Sequence, residues 1–197
     1  MEFSEVVRRR RMVRNYEDRP IPADVLDRVL DHARRAPSAG NTQGFAFLVL
    51  DRPGQVEAFW DITFPADRRS EFTYPGLFRA PALVVPLAHK QAYLDRYAEP
   101  DKGWLDKDES RWPVPYWEVD TAFATMALLL SATDAGLGAL FFGIFGGVEE
   151  LRSAFGIPPS YEPIGAVTLG WPAPDLPSPS LVRGRRPFEA VVHRGGW

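Results

Sequence analysis

The stretch from Ala36 to Gln43 reads Ala-Pro-Ser-Ala-Gly-Asn-Thr-Gln, and it joins an amphipathic helix to an apolar run. Pro37 ends the helix, because proline has no N–H to donate and its ring collides with the preceding turn. Gly40 can adopt a positive φ. Three further side chains offer hydroxyl, carbonyl and amide groups: Ser38, Asn41 and Gln43. Such a turn can hydrogen-bond both edges of a flat polar heterocycle, although ordinary helix-to-strand loops use the same residue types.

The composition of the whole chain is that of a globular protein. Its 197 residues, 45% hydrophobic and 25% charged, predict one domain, 1–197, with a sizeable core. A net charge of −3 argues against general nucleic-acid binding. The absence of cysteine excludes disulfides, a thiolate nucleophile and Cys-based zinc sites. No His, Asp or Glu spacing resembles a metal-ligand set, so we expect no metal.

The sequence shows neither a secretion signal nor a segment that could span a membrane. The N-terminus is acidic and has no apolar signal core. The longest apolar block, Ala122–Ala132, is shorter than the roughly 20 residues that span a bilayer. We therefore expect a cytoplasmic protein without membrane contact.

Hydrophobic periodicity predicts both helices and strands. The expected helices are Phe3–Arg10, a second one through Val25–Ala33 that ends at Pro37, short ones at Gln55–Ile62 and Val148–Phe155, and Thr121–Ala135. The last is apolar nearly all round, which predicts burial on every side with extra cover from a subunit interface. The expected strands are Phe45–Leu50, covered on both faces, then Ala82–Leu87, Ile164–Trp171 and a terminal strand Phe188–His193.

The segment from Lys90 to Trp117 is aromatic, charged and broken by prolines, without clear periodicity. Its aromatic residues argue against disorder. It is either a functional loop that lines or covers a pocket, or a surface excursion pinned by its own aromatic side chains.

Two groups of arginines are candidates for holding a phosphate. The N-terminal group follows the first helix, and the second lies near the C-terminus at Arg183-Gly-Arg-Arg. Several guanidiniums at one loop can bind phosphate through bidentate hydrogen bonds. Alternatively, the first group is a solvated basic helix end and the second is surface charge.

The pieces Arg10–Tyr16 (Arg-Arg-Met-Val-Arg-Asn-Tyr) and Ala36–Gln43 flank one helix. In this order they resemble the nitroreductase family of FMN-dependent oxidoreductases, whose signatures are Arg-Arg-Ser-x-Arg-x-Phe/Tyr and Ala-Pro-Ser-x-x-Asn-x-Gln. The order Gly-Leu-Gly, short helix, Gly-Ile-Pro and Val-Thr-Leu-Gly-Trp-Pro, between Gly136 and Pro172, is also similar to that family. The resemblance spans nearly the full chain and is weakest between Lys90 and Tyr116.

The resemblance implies an α+β, nitroreductase-like fold with a central, mostly antiparallel sheet flanked by helices. It also implies a homodimer that exchanges C-terminal arms and forms two FMN sites at its interface. The segment 90–117 would be a lid or an excursion.

The same resemblance assigns roles to residues of this chain. The phosphate would be held by Arg10, Arg14, Arg183 and Arg185, with Arg11 and Met12 beside it. The flavin edges would be met by Pro37, Ser38, Ala39, Asn41 and Gln43 from the partner subunit. The backbone of Gly143 would meet the flavin N5, flanked by Phe142 and Ile144. Met12 replaces the signature serine and its hydroxyl, which we expect to weaken FMN binding, and Ile144 could alter access to the ring.

The implied activity is an FMN-dependent oxidoreductase that uses NADH or NADPH to reduce nitroaromatic, quinone or similar small-molecule oxidants by a ping-pong mechanism. In such a site the flavin supplies the chemistry, and no dedicated catalytic side chain is needed. Two alternatives stay open. One uses the reduced flavin for dehalogenation or flavin breakdown, and the other is a non-catalytic flavin- or deazaflavin-binding protein.

Overall fold

The computed structural model describes all 197 residues and shows an α+β fold, as predicted. The helices are α1 (Phe3–Arg9), α2 (Ala23–Ala33), α3 (Pro53–Thr63), α4 (Ala66–Arg69), α5 (Lys90–Tyr97), α6 (Tyr116–Asp134) and α7 (Val148–Phe155). The strands are β1 (Phe45–Leu50), β2 (Ala82–Ala88), β3 (Gly138–Phe142), β4 (Glu162–Pro163) and β5 (Ala166–Gly170).

The five strands form one sheet in the order β1-β2-β5-β3, with β4 paired to β2, and every pair of strands is antiparallel. This confirms the predicted antiparallel sheet. The prediction that Phe45–Leu50 is covered on both faces is confirmed in part. Ala46 and Leu48 pack on one face of the sheet and Phe47 and Val49 on the other, but β1 lies at the sheet edge and its cover is incomplete. Only Leu50 is fully buried, and the other five residues are half-buried.

The two faces of the sheet pack against different helices. Side chains of β2 alternate between the faces, as the period of two requires. Leu83 and Val85 belong to a core that α3 and α7 cover, whereas Ala82 and Val84 belong to a second core that α2 and α6 cover. The sheet is therefore the middle layer of a three-layer arrangement.

Helix α6 differs in one respect from the expectation of complete burial. One side packs on the sheet and on α2, but Phe123 and Met126 are 51% and 42% exposed. The apolar surplus of this helix thus forms an open surface of the chain. No helix of the protein combines the length and the apolar character that a bilayer-spanning segment needs.

The segment 90–117 contains a helix, α5, that its sequence did not reveal. Aromatic rings contact one another along the segment: Tyr93, Tyr97, Trp104, Trp112, Tyr116 and Trp117.

The predicted terminal strand, Phe188–His193, is wrong. Phe188–Ala190 is a single 3₁₀ turn in an exposed C-terminal arm, where no neighbouring strand is available to pair with it.

The segment Arg10–Tyr16, the N-terminal arginine segment, is hydrogen-bonded to the exposed edge of β3. The N–H of Val13 donates to the carbonyl of Ala139 at 2.9 Å. At Gly138 an added Cβ would lie 2.9 Å from the side chain of Val13, so the close approach requires glycine. The buried hydroxyl of Tyr16 donates to the Val13 carbonyl at 2.9 Å and lies 2.8 Å from the hydroxyl oxygen of Thr168. Burial raises the pKa of the Tyr16 phenol, which therefore stays protonated at physiological pH.

We expect Tyr16→Phe to lower the free energy of unfolding by about 1–2 kcal/mol, because the Thr168 hydroxyl and the Val13 carbonyl lose a buried partner. Urea denaturation would measure this loss. Tyr161→Phe is the matched control, since that hydroxyl has no hydrogen-bond partner in the chain, and we expect a change within about 0.5 kcal/mol. Equal stability of Tyr16→Phe and the wild type would contradict the assigned role.

Candidate functional site

A cationic cavity of about 340 Å³, the arginine cavity, lies between the N-terminal arginine segment and the C-terminal arm. Its charged lining residues are Arg10, Arg11, Arg14, Arg185 and Asp175. The Nη1 atom of Arg10 is buried without any hydrogen-bond partner in the chain. A buried guanidinium nitrogen without an acceptor is costly, so this cavity is suited to an anion.

A larger cavity of about 680 Å³, the apolar cavity, lies beside it, and Arg14 lines both. Most of its lining is aromatic or aliphatic: Trp60, Ile62, Phe64, Pro65, Phe72, Leu77, Phe78, Leu140, Phe141, Phe142, Ile144 and Phe145. Other lining residues are Thr63, Arg68, Gly143, Gly146 and Gly147. The shared Arg14 therefore separates a cationic cavity from a flat-walled apolar cavity and borders both.

Five aromatic rings in contact with one another form one wall of the apolar cavity, the aromatic wall. Trp60 stacks on Phe142 with ring centroids 5.6 Å apart and an interplanar angle of 12°. Phe78 contacts Trp60 at 5.0 Å and Phe64 at 5.4 Å, and Phe72 extends the cluster. The cluster joins α3, the end of β3 and the segment before β2. It therefore presents a shaped apolar surface to a planar ligand.

The loop after β3 forms the mouth of the apolar cavity. Gly143 is exposed, and its N–H donates to no group of the chain. The ring of Phe145 lies over it, since an added Cβ at Gly143 would be 3.0 Å from that ring, and Phe145 itself is 99% exposed. Gly147 has φ 74° and approaches the carbonyl of Ile62 so closely that a Cβ would lie 2.5 Å from it. Glycine at this position lets the loop pack against α3.

The turn from Pro37 to Gln43, the 37–43 turn, has a strained backbone. Gly40 has φ 61°, and two non-glycine residues, Asn41 and Gln43, have φ 54° and 53°. The Gln43 N–H donates to the Ser38 hydroxyl at 2.8 Å. The side chains of Asn41 and Gln43 are exposed, and the Gln43 amide N–H donates to the Asn41 side-chain carbonyl at 3.3 Å. The Asn41 amide N–H groups and the Gln43 side-chain carbonyl make no bond within the chain, so they are available to a ligand.

Helices α5 and α6 hold this turn from behind. Asp120, only 2% exposed, accepts hydrogen bonds at one oxygen from the Ala39 N–H and the Tyr93 hydroxyl, both at 2.8 Å. Burial and then the neighbouring Asp120 carboxylate raise the pKa of Tyr93, so its phenol stays a donor. Arg96 donates to the Gly40 carbonyl at 3.0 Å. The turn is thus fixed by two helices that are distant from it in sequence.

The structure brings some predicted site residues together and leaves others apart. The arginine cavity includes Arg10, Arg11, Met12, Arg14 and Arg185, and the apolar cavity includes Arg14, Phe142, Gly143 and Ile144. Arg183 is exposed on a 3₁₀ turn and does not line the arginine cavity. Pro37, Ser38, Ala39, Asn41 and Gln43 line neither cavity of their own chain. Met12 fills space between the two cores and offers no polar side chain.

Sequence reasoning missed three features of the site: the aromatic wall, Asp120 and Asp175. The aromatic wall comes from segments that are separate in sequence, so no local motif announces it. Asp120 had a usable signal, because it stands directly before the apolar stretch of the helix, and a carboxylate buried there needs a partner. Asp175 in the arginine cavity had no sequence signal, since its position depends on the path of the C-terminal arm.

The chemical content of the apolar cavity is limited. Its lining has no Asp, Glu, His, Lys, Cys or Ser. The one hydroxyl, that of Thr63, donates to the Phe59 carbonyl at 2.8 Å. The cavity therefore holds no side chain suited to general acid–base or nucleophilic catalysis. Its chemistry would have to come from a bound group with an anionic end and a flat ring.

Comparison with known proteins gives a consistent family assignment. The sequence profile of the Nitroreductase family matches residues 7–171. A candidate NADH dehydrogenase/NAD(P)H nitroreductase of Methanothermobacter thermautotrophicus is 26% identical over 178 residues, which cover 88% of this chain and 78% of that protein. An iodotyrosine deiodinase of Nematostella vectensis is 21% identical over 97% of this chain and 74% of that protein.

Solved structures agree at the level of the fold. A candidate nitroreductase of Exiguobacterium sibiricum, determined in complex with FMN, superposes with a TM-score of 0.73. It is 21% identical and covers 98% of this chain, with 97% of its own chain matched.

The support of the 37–43 turn can be tested through Asp120. We expect Asp120→Ala to lower the free energy of unfolding by about 2–4 kcal/mol, because two donors lose their acceptor, and to speed amide exchange at Ala39. Asp120→Asn is the control, since its carbonyl oxygen can accept both hydrogen bonds. Unchanged exchange at Ala39 in Asp120→Ala would refute the assigned role.

Proposed function

The chain belongs to the nitroreductase family, and we propose that it is an oxidoreductase that binds FMN and uses NADH or NADPH to reduce nitroaromatic, quinone or similar small acceptors. The main support is the junction of the arginine cavity and the apolar cavity at Arg14. A ligand with a phosphate at one end and a flat ring at the other has the charge distribution that this junction requires. The FMN-bound relative and the nitroreductase names of other relatives agree with this proposal.

The arginine cavity fits the phosphate of FMN. Arg10, with its unpartnered buried nitrogen, and the shared Arg14 and Arg185 would donate to the phosphate oxygens. Arg11 lies at the exposed side of the cavity and would add charge. Arg183 would reach the phosphate only if the arm took another path, for example in a dimer.

The apolar cavity fits the ring of the cofactor. The free N–H of Gly143 would donate a hydrogen bond to N5 of the ring, which is the kind of preorganised donor that stabilises developing negative charge. The aromatic wall would exclude water from the ring, and Ile144 would narrow the approach of a second molecule. When bound, FMN supplies the hydride and electron transfer that no side chain of this cavity could supply.

The reductant and the acceptor would both approach the apolar cavity at its exposed loop after β3, and this favours a ping-pong order. Gly143 and Phe145 border the mouth, and the exposed ring of Phe145 offers a surface on which a nicotinamide or an aromatic acceptor could stack. If the reductant and the acceptor use the same place, they must bind in turn.

The 37–43 turn suggests that the site is completed by a second subunit. Its exposed amides line no cavity of their own chain, yet the turn is held rigidly. The exposed apolar side of α6, with Phe123 and Met126, is suited to a homodimer interface. We propose that the turn of one subunit meets the flavin of the other. In that dimer the part of the C-terminal arm that follows Asp175 would be exchanged, so that the partner's arm would complete each arginine cavity. The segment 90–117 would back the turn or act as a lid.

A second candidate reaction is reductive dehalogenation, which the similarity to an iodotyrosine deiodinase favours. It would use the same cofactor and the same cavity. Turnover of a nitroaromatic and of a halogenated phenol under identical conditions would distinguish the two activities.

We expect the purified protein to show the visible absorption band of oxidised flavin, before or after addition of FMN. Anaerobic NADH or NADPH should bleach this band, and a nitroaromatic or quinone should restore it. A band that neither reductant bleaches would contradict the NAD(P)H activity and favour a carrier. No band after addition of FMN would contradict the cofactor.

We expect Arg14→Ala combined with Arg185→Ala to weaken FMN binding about 100-fold or more, because two charge-assisted contacts to phosphate are lost. Flavin fluorescence titration at moderate salt would measure this, with circular dichroism to confirm folding. The control is Arg28→Ala with Arg52→Ala, which removes the same charge from exposed positions outside both cavities. Equal FMN affinity of the two double variants would overturn the phosphate assignment.

A further inference from the structure

A carboxylate lies inside the arginine cavity. Asp175 belongs to the C-terminal arm, and it lines this cavity together with the guanidiniums of Arg10, Arg11, Arg14 and Arg185. Its Oδ2 atom accepts the backbone N–H of Arg14 at 2.7 Å. A negative group of the chain therefore sits where the proposed function, on which this inference rests, puts the phosphate.

The carboxylate of Asp175 forms no ion pair with any arginine side chain of the cavity. The Arg14 N–H is its only hydrogen-bond donor in the chain, and Arg10 Nη1 remains without a partner. Asp175 thus takes a backbone donor of the arginine segment and adds negative charge to the cavity, while it leaves the guanidiniums free to bind an anion.

The charge of Asp175 is not needed to hold the arm. Ala173 donates to the Asn15 carbonyl at 3.0 Å, and the Asn15 side chain donates to the carbonyl of Pro174. The arm is therefore anchored immediately before Asp175 by groups without charge. An asparagine at position 175 could offer the same acceptor to the Arg14 N–H.

We propose that Asp175 is an internal competitor of the FMN phosphate, which keeps the cofactor exchangeable. A phosphate dianion in the arginine cavity is repelled by the carboxylate. It must also share the Arg14 N–H with Asp175 or displace Asp175 from it. The four guanidiniums outweigh one carboxylate, so binding is weakened and not prevented. Removal of the charge with retention of the shape strengthens binding of the phosphate end alone.

Asp175→Asn tests this with two ligands that differ only in the phosphate, FMN and riboflavin. Binding is followed by quenching of flavin fluorescence at low and high salt. We expect roughly tenfold tighter FMN binding at low salt, the size of a half-screened repulsion between a carboxylate and a dianion, and a smaller gain at high salt. Riboflavin affinity should not change. Glu189→Gln is the matched control, because it removes the same charge from an exposed arm residue outside the cavity.

Each outcome is decisive. FMN affinity that stays equal or falls in Asp175→Asn overturns the proposal. An equal gain for FMN and riboflavin also overturns it, because the effect would then come from the arm and not from phosphate charge. An equally large gain in FMN affinity for Glu189→Gln would also overturn the proposal, because the net charge of the protein would then explain the effect. If no variant binds either flavin, the proposed function itself fails, and this inference fails with it.

Discussion

The attachment of the N-terminal arginine segment to the edge of β3 is the contact on which the site depends. The Val13 N–H bonds to the Ala139 carbonyl, and Tyr16 is anchored to Val13 and Thr168 in the core. Because the segment runs beside β3, its guanidiniums lie next to the loop that follows that strand. The cationic and the apolar cavities meet for this reason, and Gly138 permits the close approach.

The local parts of the site could be predicted from the sequence, because they depend on short-range chemistry. Pro37 and the flexible Gly40 indicated the turn, although the helix ends at Ala33 and not at Pro37 as predicted. The arginine segment was recognisable by its spacing. The support of the turn by Asp120 could not be placed, because it joins residues 81 positions apart through a buried carboxylate. The aromatic wall was also out of reach, since its rings come from separate elements that only the folded sheet brings together.

The errors in the predicted elements have one common cause. An apolar run predicts a strand but does not reveal its neighbours. Phe45–Leu50 forms a strand at the sheet edge with one partner, and Phe188–His193, with no partner in the chain, forms no strand. The apolar surface of α6 is likewise partly uncovered. In each case the residue pattern records a preference for burial, and the partner that satisfies it must come from the tertiary or quaternary structure.

The 37–43 turn gives the main structural support for the proposal that this chain acts with a second copy. Left-handed backbone at Asn41 and Gln43 is unfavourable for residues with a Cβ, and it persists only where surrounding contacts enforce it. Asp120 and Arg96 provide that enforcement, and the Tyr97 ring packs against Gly40. A solvent loop does not require such support. A preformed edge of hydrogen-bonding groups that lines neither cavity of its own chain is expected where its ligand is held by another molecule. The uncovered side of α6, the helix that holds the turn, offers a surface for that contact.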